Sequence, residues 1–483
     1  MSDLNLLEEL NILPEDIEMT KKTLLKIMNY GISNNKNISE MKKNKLLNDV
    51  ISTCFKIINY NKLKKKDQIN NQKKTNNKLF QCYICRNNVC LVQSTTCDNC
   101  FNINFKKRNI RANLEGKISI VTGGRVKIGF ETAIRLLECG STVVVTTRFP
   151  ADALARYKAH VNYNNFANRL IIYAMDLRYM KDINDFVLYV YENFDKLDIL
   201  IHNAAQTIRR PKQFFTHLLT NESSLIQSYK ALTNDVDTYV ETNNVDTNNV
   251  DTNDIEIHSL QKKQSNTLQI INSDTLSVSN IIIPKYDHII EKIFEPLQNC
   301  DDKSLFPENC YDENHEQIDL RTNNTWTQQL GEIEMTECAE LLSINTLAPF
   351  HMNQQFKNLM AKSGGSYIVN VSSMEGVFNM KNKTNNHPHT NMAKAALNMM
   401  TRTSAKTFSK YNIYMVSVDT GWITDEYPVR FEPNDDNTKK RKIDVPLDNL
   451  DGACRVLDPV FSYFNGENPV YGVFLKDYVI SNW

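Results

Sequence analysis

The residues best placed to do chemistry are four cysteines in two pairs. Cys82-x2-Cys85 is followed, after eleven residues, by Cys97-x2-Cys100. Two such turns can aim four thiolates at one tetrahedral zinc ion, at about 2.3 Å each. Four protein ligands leave no open coordination position, so the expected role is structural. Cys90 lies between the pairs and is an alternative ligand. Redox activity is the weaker reading, because neither pair opens a helix after a strand. A second pattern is Gly123-Gly124-Arg125-Val126-Lys127-Ile128-Gly129, set between KISIVT and FETAIRLLEC. A strand, a Gly-rich turn and a helix N-terminus make a diphosphate site, since backbone N–H groups and the helix dipole face the anion. A third is Thr147-Arg148, which ends VVVTT. An NAD-preferring site would carry a carboxylate there, whereas Arg suits a 2′-phosphate by charge and bidentate geometry. NADP(H) is therefore the expected cofactor, with NAD(H) as the alternative.

These residues need a scaffold, and the chain from Gly116 onward supplies one. KISIVT, STVVVTT, LIIYAMD, DILIHN, SYIVNVSS and IYMVSVD are short, β-branched-rich runs. Amphipathic stretches such as FETAIRLLEC and INDFVLYVYENF lie between them. Apolar strands alternating with helices predict an α/β, Rossmann-type doubly wound parallel sheet covered on both faces. A zinc-ribbon-like knuckle over 81–112 precedes it, close enough to brace it.

At this point the sequence resembles the short-chain dehydrogenase/reductase family. TGGRVKIG is similar to that family's TGxxxGxG turn, with Lys127 in place of the middle glycine. HNAA resembles the turn beneath the cofactor, NTLAPF the long helix carrying the family's Asn, and VSSMEG the segment with its Ser. The resemblance implies a dinucleotide held by Gly123, Arg125, Lys127, Ile128, Gly129, Arg148, Asp176, Leu177, Asn203, Ala204, Lys394, Gly421 and Thr424. It further implies an active site built from Asn345, Ser373 and Lys394. The family's tyrosine, four residues before the lysine, is here Thr390 in HPHTNMAK. An aliphatic hydroxyl is too weak an acid to replace a phenol, so His387 or His389 becomes the expected proton donor, His389 preferred. The resemblance covers about 117–210 and 335–480.

The rest of the chain is of a different texture. Residues 1–80 read as a helical, basic leader, with twelve Lys and three acidic residues from Lys36 to Phe80. Nucleic-acid binding through leader and knuckle is the lesser reading, because interleaved aromatics are lacking. Residues 211–334 form a large, partly disordered insertion: its DVDT and NNVDT near-repeats cannot bury enough apolar surface to order, whereas flanking apolar patches such as IIIP and Trp326 leave part of it able to do so. Lys plus Arg and Asp plus Glu are both 56, which excludes a global cationic field for gathering polyanions. No run is long and apolar enough for a membrane span, and the acidic N-terminus lacks a secretory pattern. A cytoplasmic or nuclear oxidoreductase acting on a small molecule, as a homodimer or tetramer, is the expectation. The alternative is a dinucleotide-binding scaffold without turnover.

Overall fold

The protein is described by a computed structural model over residues 80–89, 95–219, 222–223, 280–282, 302–380, 383–428 and 445–483. The chain divides into two units, Met1–Leu79 and Phe80–Trp483, and every described residue belongs to the second. The basic leader, Cys90 and the 235–254 repeats lie outside the described residues.

The knuckle opens with a small antiparallel pair, β1 (Phe80–Gln81) and β2 (Asn88–Val89), and runs into helix α1 (Asp98–Asn109). The main sheet follows. Its strands are β3 (Ile118–Thr122), β4 (Thr142–Thr147), β5 (Leu170–Ala174), β6 (Ile199–His202), β7 (Asn280–Ile282), β8 (Ser366–Ser372), β9 (Ile413–Asp419), β10 (Phe474–Lys476) and β11 (Val479–Ser481). Their spatial order is β11-β10-β9-β8-β6-β3-β4-β5-β7. All neighbours are parallel except β10 and β11. This is the Rossmann-type sheet expected, with the strand order reversing between β3 and β6, where ligands bind in such folds.

Period-two alternation distributes the strand side chains between two cores. Val121, Val143 and Val145 face α2 (Lys127–Glu138) and α9 (Asn449–Phe464), with Leu136, Leu137, Leu457 and Phe461. Ile120, Val144 and Ile368 face the other side, with Phe186 of α5 (Met180–Asn193) and Phe356 of α7 (Ala348–Ala361). Between these helices in sequence lie α3 (Pro150–Lys158), α4 (Tyr163–Phe166) and α6 (Met335–Leu342); α8 (Pro388–Ser409) follows α7. Each fully buried Val, Leu or Phe contributes roughly 1.5–3 kcal/mol, so the site rests on a rigid base.

Two features differ from the sequence expectation. The sequence pattern names no strand within the insertion, though it marks the IIIP stretch as able to order; that stretch contributes β7, which pairs in parallel with β5, Ile172 opposite Ile281. Three residues, two of them isoleucine, suffice, because the open sheet edge supplies hydrogen-bonding partners and Ile282 is buried against the core. The C-terminus also folds back as a β10–β11 hairpin through Asp477 and Tyr478, both at positive φ (47° and 70°). Such two-residue turns normally carry Asn-Gly, so the sequence signal is weak.

Candidate active site

The glycine turn leaves β3 at Thr122 and enters α2. Gly123 has φ 68°, and a Cβ there would lie 2.9 Å from the Ala204 Cα. A Cβ on Gly129 would lie 2.2 Å from the Gly123 carbonyl oxygen and 2.4 Å from Asn203 Nδ2. Thr122 Oγ1 accepts from the backbone N–H groups of Asn203 and Ala204 at 3.1 and 3.0 Å. Asn203 Nδ2 donates to the Thr122 and Gly123 carbonyls, both at 3.2 Å. The two turns therefore interlock at the strand-order reversal. Lys127, at the position of the missing glycine, takes φ 54°, so the left-handed backbone is kept without glycine. Its ammonium has no hydrogen bond or ion pair among the described residues and lines the cleft. Such a cradle with a spare cation fits a diphosphate.

That cleft is lined by Gly123, Arg125, Lys127, Ile128, Gly129, Arg148, Asp176, Leu177, Asn203, Ala204 and Thr424, all expected from the sequence. Their states differ. Arg125 is bound on both sides, donating to Asp152 and to Glu316 of the insertion, each at 2.7 Å. Asp176 is engaged by Arg178, Nε to Oδ2 at 2.9 Å and Nη2 to Oδ2 at 2.6 Å. Arg148 makes no ion pair among the described residues. Its guanidinium lies 5.4 and 5.0 Å from the ring centroids of Phe149 and Phe215. Burial lowers its pKa, a cost that an anionic ligand would remove.

A second cleft continues from the first and is lined by Ser373, Thr390, Lys394, Gly421, Trp422, Thr424 and His387. Lys394, on α8, donates to the Val371 carbonyl at 2.8 Å. Burial lowers its pKa to about 8, against the opposing pull of Glu375 and Asp419. Ser373 follows β8, with its hydroxyl unbonded among the described residues, whereas Ser372 is tied to Asn398 at 2.6 Å. Thr390 Oγ1 is buried without a partner.

Two expected residues are placed differently. His389 is 2% exposed, and it is His387 that lines the cleft. The helix turns the His389 ring into the protein, where both its nitrogens lack hydrogen-bond partners. His387 stacks on Trp326 of the insertion, centroids 3.9 Å apart, and its Nδ1 donates to the Trp326 carbonyl at 2.8 Å. Asn345 does not reach the cleft. It sits in a π-turn, Ser343–Leu347, where its Oδ1 accepts from Gln206 N and its Nδ2 donates to Gln206 O, both at 2.8 Å. Both its amide oxygen and its amide nitrogen thus hold the loop after β6.

The four cysteine sulfurs lie within 4.8 Å of one another. Cys85 and Cys97 sulfurs are 3.6 Å apart, near the edge of about 3.8 Å that a tetrahedral zinc–thiolate site requires. The Cys97 N–H donates to Cys82 Sγ at 3.3 Å. Burial pushes the Cys82 thiol up, but the N–H groups of Cys97, Cys85 and Ile84 outweigh it and bring its pKa down to about 6. The donor set fits a thiophilic metal. What sequence reasoning missed is Tyr83, between the first two cysteines, which lines the second cleft. Its only sequence signal is its place inside a CxxC turn.

The same turns and strands recur in known proteins. The short chain dehydrogenase family model matches residues 117–238 and 310–431, just over half of the chain. An uncharacterized protein of Acanthamoeba polyphaga mimivirus is 28% identical over 407 residues, covering 81% of this chain and 73% of its own. The (-)-isopiperitenone reductase of Mentha piperita is 34% identical over 89 residues, 18% of this chain and 28% of the reductase. The solved structure of NADPH-bound carbonyl reductase from chicken fatty liver is 15% identical, with a TM-score of 0.42, covering 77% of this chain and all of that one. The chain belongs to the short-chain dehydrogenase family, a family of oxidoreductases.

Proposed function

We propose that the protein is an NADP(H)-dependent oxidoreductase acting on a small carbonyl-like substrate, with a proton donor other than tyrosine. The observation that carries this is the continuity of the glycine-turn cleft with a cleft holding Ser373 and Lys394. The dinucleotide, when bound, supplies or accepts hydride. Gly123 and Gly129 let backbone approach the diphosphate, Lys127 offers it a cation, and Arg148 offers a guanidinium to a 2′-phosphate. Ser373 polarises the substrate oxygen. His389 is withdrawn as proton donor. Lys394 takes that role, because burial brings its ammonium to about 8, where it can give up a proton near neutrality. The cysteine knuckle holds structural zinc.

Fluorescence titration tests the cofactor reading. NADPH is expected to bind at least tenfold more tightly than NADH, and Arg148→Ser to erase that ratio. An Arg–phosphate contact of roughly 1.5–3 kcal/mol sets this scale. No NADPH binding at any concentration would overturn it. A second reading, dinucleotide binding without turnover, draws support from the unpartnered Thr390 hydroxyl in the tyrosine's position. It predicts tight NADPH binding and no oxidation of NADPH against carbonyl, enone and imine panels.

A further inference from the structure

The knuckle reaches into the active site through Tyr83. The Trp422 backbone N–H donates to the Tyr83 phenol oxygen at 2.8 Å, across 339 residues of sequence. The rings of Tyr83 and Trp422 lie 6.5 Å apart, tilted at 51°. Lys476 Nζ sits 5.8 Å from the Tyr83 ring centroid and 3.6 Å from Asp419. Asp419 in turn accepts from the Gly421 N–H at 2.6 Å. The turn from Asp419 to Thr424 is thus held from inside by its own carboxylate and from outside by the knuckle.

This turn has little slack. Gly421 has φ 82°, and a Cβ on it would lie 2.5 Å from Leu447 and 3.7 Å from the Tyr83 oxygen. At its far end Thr424 lines both the glycine-turn cleft and the second cleft. A shift of Trp422 therefore moves a wall common to both.

Tyr83 itself is fixed by the cysteine turn. Its N–H donates to Thr95 O at 2.8 Å, joining the two halves of the knuckle. Two strands of two residues each give the knuckle almost no core. Segments this small depend on metal or disulfide for their fold. A metal bound by Cys82, Cys85, Cys97 and Cys100, whose sulfurs lie within 4.8 Å of one another, would close these turns and so place the phenol.

We propose that Tyr83 is a positioning residue of the active site, so that metal occupancy of the knuckle sets the conformation of the Gly421 turn. The effect on cofactor binding rests on the dinucleotide reading above, whereas the clamp itself does not. Hydrogen–deuterium exchange on the full, metal-loaded chain tests the two separately. Tyr83→Phe keeps the ring and removes the acceptor. The Trp422 amide is expected to exchange about five- to tenfold faster, the worth of one hydrogen bond. Metal content and exchange in β3 and β8 should stay as in wild type. Chelating wild type should accelerate the same amide at least as much, and chelation of Tyr83→Phe should add little to the increase that the substitution alone produces. NADPH affinity should fall a few-fold in parallel. Unchanged Trp422 exchange in Tyr83→Phe, or in chelated wild type with an intact sheet, would overturn the proposal. Faster exchange in a protein that never binds NADPH would uphold the clamp and defeat the dinucleotide reading.

Discussion

Lys127 holds a left-handed backbone that costs a side-chain-bearing residue about 1–2 kcal/mol. Glycine would remove that strain, but its freer unfolded chain returns roughly 0.5–1 kcal/mol of the gain. Lys127→Gly should therefore melt at the same temperature or a few degrees higher. It should also bind NADPH several-fold more weakly, because the spare cation of the diphosphate turn is gone. A lysine kept at a mechanical disadvantage is one kept for its charge, and calorimetry with cofactor titration checks both halves. Lys394 makes a pH prediction whose sign follows from burial. Its folded pKa is about 8, below the ordinary lysine value of 10.5, so the unfolded chain binds more protons between those limits. Its charging therefore opposes folding fully below about pH 8, and that penalty fades as pH rises toward 10.5. If Lys394 gives the proton, reduction by NADPH should fall above about pH 8 along a single limb. Lys394→Arg, whose guanidinium cannot release a proton in this range, should cut reduction strongly and leave the residual rate without that limb, and a limb and rate unmoved by the substitution would remove Lys394 from the role.

At the scale of elements, the site depends on turns that lock onto each other across the sheet. The π-turn at Ser343–Leu347 rotates Asn345 toward the loop after β6 and gives both its amide groups to Gln206. Asn345→Ala strands two part-buried backbone groups, at a cost of roughly 1–3 kcal/mol each if left unsatisfied. The substituted protein should melt several degrees lower and bind NADPH more weakly, with wild-type kcat in the fraction that binds. A large loss of kcat with unchanged cofactor affinity would instead put Asn345 in the reaction. Much of this architecture is legible from residue types alone. The β-branched runs mark β3 to β6, β8 and β9, because buried parallel strands are apolar on both faces. The glycine turn is legible because close backbone approach restricts residue types, whereas the Lys394 position is legible only through the family resemblance. Other contacts are hidden, since they join distant segments: Trp326 on His387, Glu316 on Arg125, and Tyr83 against Trp422. His389 is misplaced because each helical step rotates a side chain by about 100°, which spacing alone cannot resolve when two histidines flank a proline.

On the scale of the whole molecule, the equal totals of 56 basic and 56 acidic residues leave little net repulsion between copies near neutral pH. Apolar surface then decides association. On α7 and the π-turn before it, Leu347 and Phe350 are 52% and 55% exposed, and on α8 Met392 and Met399 are 54% and 52% exposed. Spacings of three and seven residues put each pair on one helical face. Apolar side chains this exposed on two consecutive long helices are what a self-complementary two-fold interface buries. The homodimer that the family resemblance implies would bury these side chains, and for it light scattering should give about twice the 55.8 kDa of one chain. Phe350→Glu with Met399→Glu places four like charges around the axis of a dimer and should give monomers. Both positions face outward, so the doubly substituted protein should fold and bind NADPH with near wild-type affinity. A monomeric wild type, or a double substitution that stays dimeric, would assign these residues to another use. Loss of NADPH binding in a folded monomer would mean that the partner chain steadies α8, and with it Lys394.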